Sequence, residues 1–218
     1  MGNNIKAIYD LSVSIENGMA TWPTNPEVLL REDWNYDTDG YQEELYSSST
    51  HTGTHIDAPI HMYRNGLPVD ELDMKTLVSE GYVIRPKFTG TDIHVNDIER
   101  VWREDYNGHT ILINTGWDKK RARTDEWQYK FPGLAEDTID FFGKKKVKLI
   151  GIDTLGIEAA DHNNFPVHRG LEEYGIIFIE DMTNLDALKD GKPYLIVALP
   201  LKLKGASGSM CRAIAIDM

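Results

Sequence analysis

Residues His51-Thr52-Gly53-Thr54-His55-Ile56-Asp57-Ala58-Pro59-Ile60-His61 place three imidazoles and a carboxylate within eleven positions, while the other four histidines are scattered. Neutral imidazole nitrogen and carboxylate oxygen are the donors that borderline divalent cations such as zinc prefer, so this density reads first as a metal site. The same residues exclude a helix. His51 and His55 would share a helical face at i,i+4, but Thr52, Gly53 and Thr54 are weak helix formers and Pro59 disfavours α geometry at Ala58. The spacing fits a turn at Gly53 followed by extended chain. Alternation then points His55 and Asp57 to one side, and the turn returns His51 toward them. It is not the helical HExxH signature, because no glutamate follows His51.

The stretch HTGTHIDAPIH resembles the HxGTHxDxPxH signature of the metal-dependent cyclase-type hydrolase family, whose characterised members include bacterial kynurenine formamidase and isatin hydrolase. Further landmarks resemble the family in the same order: Asp10-Leu11-Ser12, Trp22-Pro23, Gly151-Ile152-Asp153-Thr154, Leu199-Pro200-Leu201-Lys202 and Gly205-Ala206-Ser207. The resemblance covers nearly the full chain. It implies one or two divalent metal ions per subunit, zinc ahead of manganese, and hydrolysis of an amide-like C–N bond. The substrate it points to first is an aryl formamide such as N-formylkynurenine, of tryptophan catabolism. Its alternatives are ring opening of a cyclic amide of the isatin type, and a metal- or small-molecule-binding homologue without turnover. Composition and spacing alone imply only the metal.

The resemblance also implies a ligand set. His51, His55 and Asp57 come from the signature, and His168 with Glu180 matches the family's second pair, a histidine followed twelve residues later by a glutamate at a strand end. Asp57 and Glu180 are the two carboxylates able to bridge ions. His61 matches the catalytic histidine, a proton shuttle, and its other reading is a sixth ligand. Trp22 matches an aromatic position lining the substrate pocket, where an indole can stack on an aryl ring, and its other reading is a buried core tryptophan. The family usually shows Gly-Asp after the following proline, whereas this chain has Thr24-Asn25. The Ser207-Gly208-Ser209 turn resembles a region where a serine contacts substrate or water.

Read from the residues themselves, Asn164 to Gly175 is a Pro-started, Gly-stopped helix with His168 in its first turn. The apolar run Ile176–Ile179 follows, and Glu180 sits at its carboxyl end, where open α/β sheets commonly place ligands. His162 in the polar loop Asp161–Asn164 competes with His168, and reads as solvated. Asp181 competes with Glu180. His94 and His109 receive no role.

The 218 residues suit a single domain, 1–218, burying roughly 70% of its unfolded surface. A net charge of −12 repels phosphate backbones and anionic lipid, which argues against nucleic acid and membranes, and the partner the resemblance implies is a small-molecule substrate. From the family, a homodimer or homotetramer is expected. The start, Met1 to Lys6, has no apolar h-region, and the one cysteine, Cys211, reads as a buried thiol. Both fit a cytoplasmic location. The basic runs Lys119–Arg123 and Lys144–Lys146 read as solvated faces.

Strands read near 5–13, 27–34, 41–49, 81–88, 109–115, 147–153, 176–180, 194–200 and 211–217, and helices near 70–79, 95–104, 134–142 and 167–174. Gly143 and Gly175 sit where glycine stops a helix. Helices alternate with strands only in the second half. That predicts an α/β fold with a mixed, partly antiparallel sheet. The swivelling β/β/α fold of the cyclase family agrees with it.

Overall fold

Alternation decides the strands. In Val78–Ile84 and Thr110–Ile113, Val83 and Leu112 join one apolar cluster while Tyr82, Ile84, Ile111 and Ile113 join another. Both faces are apolar because both are covered. The computed structural model describes residues 5–218. Its strands are β1 (Ala7–Asp10), β2 (Leu29–Trp34), β3 (Glu43–Ser47), β4 (His55–Asp57), β5 (Val78–Ile84), β6 (Asp92–Ile93), β7 (Thr110–Ile113), β8 (Gly133–Leu134), β9 (Leu149–Ile152), β10 (Ile177–Glu180), β11 (Tyr194–Pro200) and β12 (Gly208–Asp217). The helices are α1 (Tyr36–Asp39), α2 (Met74–Leu77), α3 (Val95–Glu99), α4 (Asp125–Tyr129), α5 (Ile139–Lys144) and α6 (Pro166–Glu173).

Eight strands form one sheet in the order β1-β12-β11-β5-β7-β9-β10-β4, and β4 pairs again with β12. Seven strands therefore close into a ring, with β1 appended to β12. The run β5-β7-β9-β10 is parallel, and the remaining pairings are antiparallel. The sheet is mixed and partly antiparallel, as the order of elements implies. Parallel neighbours need long crossovers, and α3 to α6 occupy them.

Each ring strand sends a residue into one cluster, among them Ile56, Val83, Leu112, Leu149, Ile179, Ile196 and Ala213. That shared cluster is the ring's interior. A ring this narrow has room only for side chains, which accounts for Ala198, Ala213 and Ala215 among the larger residues. Outside the parallel half, Ile111, Ile150 and Phe178 pack against Phe142 of α5 and Val167 and Leu171 of α6.

All nine expected strands are present within a few residues of their predicted ends. The helices depart further. The 70–79 stretch shrinks to α2 because the ladder of β5 begins at Val78, and Gly143 lies inside α5 rather than after it, while Lys146 takes the left-handed conformation (φ 58°). Two short helices escaped the periodicity although their caps are legible. Asn35 Oδ1 accepts from Asp37 and Thr38 backbone N–H at 3.1 and 3.2 Å, and Thr124 Oγ1 accepts from Trp127 N–H at 3.2 Å.

The basic run also needs correction. Lys119, Lys120 and Arg123 pair at the surface, but Arg121 is mostly buried and forms an ion pair with buried Asp181. Cys211 is buried, and burial pushes its thiol up to about 12. Among the described residues no helix is long and apolar enough to cross a membrane.

Leu112 is fully buried in the ring. Leu112→Ala should cost roughly 2–5 kcal/mol of stability, read as a fall in thermal midpoint of roughly 2–4 °C per kcal/mol at this size. A loss below about 1 kcal/mol would contradict the tight packing assigned to the interior.

Candidate metal centre

The signature folds as the spacing predicts. Gly53 turns the chain at φ +60°, and a side chain there would press within 2.5 Å of Ile15 Cδ1. Thr54 pins the turn, its hydroxyl donating to Asp181 O at 2.6 Å and accepting from Val13 N–H at 3.0 Å. Strand β4 then runs between β10 and β12, with His55 opposite Glu180 and Asp57 opposite Gly208. Gly208 is needed for space: a Cβ would lie 2.6 Å from the His51 ring and 2.8 Å from Ile56 O.

Two groups of donor atoms result, His51/His55/Asp57 and Asp57/His168/Glu180, each with its ligand atoms within 4.8 Å of one another. Asp57 belongs to both. Glu180 also reaches both, with Oε1 3.3 Å from His168 Nε2 and Oε2 3.5 Å from His55 Nε2. The structure thus brings together all five residues that the resemblance nominates.

Each imidazole has one nitrogen fastened outward. His55 Nδ1–H donates to Gly53 O at 2.7 Å, His51 Nε2 meets Ser207 Oγ at 2.9 Å, and His168 Nδ1–H donates to Glu158. The other nitrogens face carboxylates. His51 Nδ1 is 2.6 Å from Asp57 Oδ1. His55 Nε2 lies 3.2 Å from the same oxygen, yet its approach has no hydrogen-bond geometry, and it is a buried polar atom without a partner. A buried nitrogen of this kind costs free energy unless something accepts its lone pair or proton. Outward hydrogen bonds that fix the tautomer of inward-facing imidazoles are characteristic of metal ligands. The residues present therefore fit one or two divalent ions.

Electrostatics agree with that fit. Burial opposes charge on Asp57, and His51 and His55 outweigh it, holding the carboxyl well below its usual range. Burial likewise pulls down the imidazoles of His55 and His168. Asp57 and Glu180 nevertheless carry His55 up to about 9, and Glu158 with Glu180 carries His168 up to about 10. The carboxylates demand positive charge at those nitrogens, for which protons and cations compete.

A cavity of about 400 Å³ opens onto these groups. Its walls include Trp22, Thr24, Asn25, Met62, Phe165 and Arg169. Trp22 is half-buried and packs edge-on to Phe131 (6.2 Å) and tilted to Phe165 (6.3 Å). Asn25, in the segment that departs from the family pattern, donates from Nδ2 to His51 O at 2.8 Å. His61 lines the cavity with its ring 4.1 Å from that of His51 and its Nε2 3.9 Å from Asp57 Oδ2, too far for a hydrogen bond. Burial is the first cause that holds His61 below its usual value. Of the two turn serines, Ser207 touches His51 and Ser209 turns to Met210 O.

The competitors stand apart. Asp181 faces Arg121. His162 is not a solvated loop residue: it is bonded to Glu158 Oε2 at 3.0 Å and Asp92 Oδ1 at 2.9 Å. His94 and His109 lie outside the cavity beside Asp137 and Glu80. Sequence reasoning missed Glu158. Its signal was an acidic residue in the apolar Leu155-Gly156-Ile157 run beyond β9, ten residues before His168.

A family model described as a putative cyclase matches residues 9–159. The chain belongs to that cyclase family. Among its relatives, a kynurenine formamidase of Bacillus cereus is 29% identical over 212 residues, covering 94% of this chain and 95% of the relative. One from Bacillus mycoides is 30% identical with the same coverage. A solved structure described as a potential metal-dependent hydrolase with cyclase activity superposes with a TM-score of 0.82 at 28% identity, covering 97% of this chain and 98% of that one. Isatin hydrolase A from Ralstonia solanacearum shares the fold, with a TM-score of 0.86 at 22% identity over 97% of this chain and 92% of that one.

In this cyclase-family chain, His51→Ala and Asp57→Ala should each remove bound zinc or manganese together with activity. His168→Ala and Glu180→Ala should act in the same direction. Elemental analysis with circular dichroism checks this, and folded variants at full metal stoichiometry would refute the ligand set.

Proposed function

We propose that this chain is a metal-dependent hydrolase of a small-molecule C–N amide bond, with an aryl formamide such as N-formylkynurenine as substrate. The observation that carries the reading is one cavity ending on two donor groups that share Asp57, with an untied imidazole, His61, beside them. Kynurenine formamidase relatives spanning nearly the whole chain support it. His51, His55, Asp57, His168 and Glu180 would hold the ions, zinc or manganese. Bound there, a divalent ion supplies Lewis-acid polarisation of a carbonyl and acidifies water.

The chain's own residues supply the rest. Trp22 and Phe165 line the cavity and would pack against a planar ring, orienting the formyl group toward the donor clusters. His61 takes a proton from the attacking water as the oxygen adds to the formyl carbon, then returns it to the leaving nitrogen as the C–N bond breaks. The products are formate and an aryl amine. Arg169 is the one lysine or arginine among the lining residues, its guanidinium held by Asn164 O at 3.0 Å and Met62 O at 3.2 Å. A fixed cation at the rim of an otherwise acidic cavity suits the carboxylate of N-formylkynurenine better than neutral isatin.

The same reading includes a homo-oligomer. The β2–β3 ribbon exposes Leu29, Leu30, Trp34, Leu45 and Tyr46 beside a shallow groove lined by Leu199 and Leu201, an apolar surface of the kind subunits cover. Light scattering that gives a monomer would remove this part.

Metal-loaded protein should release formate and aryl amine in equal amounts from N-formylkynurenine, and Arg169→Ala should raise KM for it more than for an uncharged aryl formamide. Turnover of isatin alone would move the assignment to ring opening, and no turnover with metal bound would leave a binding protein.

His61→Ala should keep its metal and roughly its KM while kcat falls by about 10²-fold or more. Metal loss equal to that of the His51 variant would make His61 a ligand instead.

A further inference from the structure

Glu158 is a buried carboxylate, only 2% exposed, in the loop after β9, and four donors converge on it. Its Oε1 accepts from His168 backbone N–H at 3.0 Å and from His168 Nδ1–H; its Oε2 accepts from Val167 N–H at 3.3 Å and from His162 Nδ1 at 3.0 Å. His162 is held in turn by Asp92 Oδ1 at 2.9 Å. The residue before Glu158 acts in parallel, since Ile157 N–H donates to Glu180 Oε1 at 2.6 Å. Two consecutive residues of one loop thus fasten two of the candidate ligands.

The start of α6 explains why the carboxylate must come from elsewhere. Phe165, at the position before the first turn, is left-handed (φ 52°) and has no capping side chain, and Pro166 offers no N–H. The N–H groups of Val167 and His168 would be orphaned without Glu158. A carboxylate there also meets the positive end of the helix dipole. Once seated on that helix start, the same oxygen is within reach of Nδ1 of the third helical residue, and of no other nitrogen on that ring.

We infer that Glu158 is the positioning carboxylate of this site: by accepting Nδ1–H of His168 it fixes that tautomer and presents Nε2, the nitrogen facing Asp57 and Glu180, to the cation. His162 and Asp92 brace Glu158 from behind. The inference rests on His168 being a metal ligand, the reading proposed above.

The test measures zinc affinity by chelator competition and the ¹⁵N signature of the His168 ring, which distinguishes a metallated Nε2 with protonated Nδ1 from the opposite arrangement. Glu158→Ala should weaken zinc binding by about 10–100-fold and lose the single-tautomer signature. Glu158→Gln keeps one carbonyl oxygen, which at the Oε1 position can still take both the His168 backbone N–H and Nδ1–H, so it should hold zinc affinity and the His168 signature closer to wild type than Glu158→Ala does. Wild-type affinity and an unchanged His168 spectrum in a folded Glu158→Ala protein, or loss of the single-tautomer signature without loss of zinc affinity in Glu158→Gln, would reduce Glu158 to a helix cap and overturn the inference. Undiminished affinity in His168→Ala would instead overturn the ligand reading on which it rests.

Discussion

Strand β4 has three residues and is hydrogen-bonded along both edges, to β10 and to β12. It closes the ring, and its alternation divides its work: Ile56 fills the interior while His55 and Asp57 face the cavity. Ring closure and placement of the candidate ligands are therefore one event. The β10 register that seats Ile56 against Ile179 sets His55 opposite Glu180. A slip of one residue would turn Ile56 into the cavity and the two polar side chains into the core.

Placing these titratable side chains on and beside so buried a strand has an electrostatic consequence. Asp57, Glu158 and Glu180 are each no more than 5% exposed, and a buried carboxylate costs several kcal/mol unless it is paired and hydrogen-bonded. Backbone N–H groups of Ile157, Val167 and His168 satisfy part of that demand. The same carboxylates push His55 and His168 up, so protons and cations compete for those two rings. What remains is a cluster whose surplus negative charge favours any small cation that fits among nitrogens already aimed inward. The fold carries this cost locally, and the apolar layers inside and outside the ring offset it.

The parts of the site that share a strand or turn were legible in the sequence, because local geometry alone relates them. Period-two alternation puts His55 and Asp57 on one side, and Gly53 with Pro59 excludes the helix that would have scattered them. His168 and Glu180 needed the family resemblance, since only the crossover from β9 through α6 to β10 brings them to β4, and no periodicity encodes that distance. Glu158 and the true surroundings of His162 were hidden for the same reason: a charged residue after a strand looks like a solvated loop until the helix it caps is in place. In the fold, long alternating runs were readable, whereas four- and five-residue helices such as α1 and α4 are too short to show a 3.6-residue period. Arg121 was misread because nothing local reveals that Asp181, sixty residues on, is buried against it.

The roles proposed for the histidines differ with how each ring is held. His51, His55 and His168 have one nitrogen tied to Ser207, Gly53 and Glu158, so each can offer only its remaining nitrogen and only in one direction. That immobility is what a ligand requires. No protein hydrogen bond among the described residues holds the His61 ring, which stacks loosely on His51 and opens onto the cavity. Its position follows from Pro59, which starts the 3₁₀ turn Pro59–His61 and lifts the chain off the β4 ladder, so His61 leaves the line of His55 and Asp57. The proline thus has a consequence for the proposed chemistry as well as for conformation: without it, an extended chain would carry His61, in phase with His55 and Asp57, onto their face of β4, and the proposed proton carrier would join the row of candidate ligands.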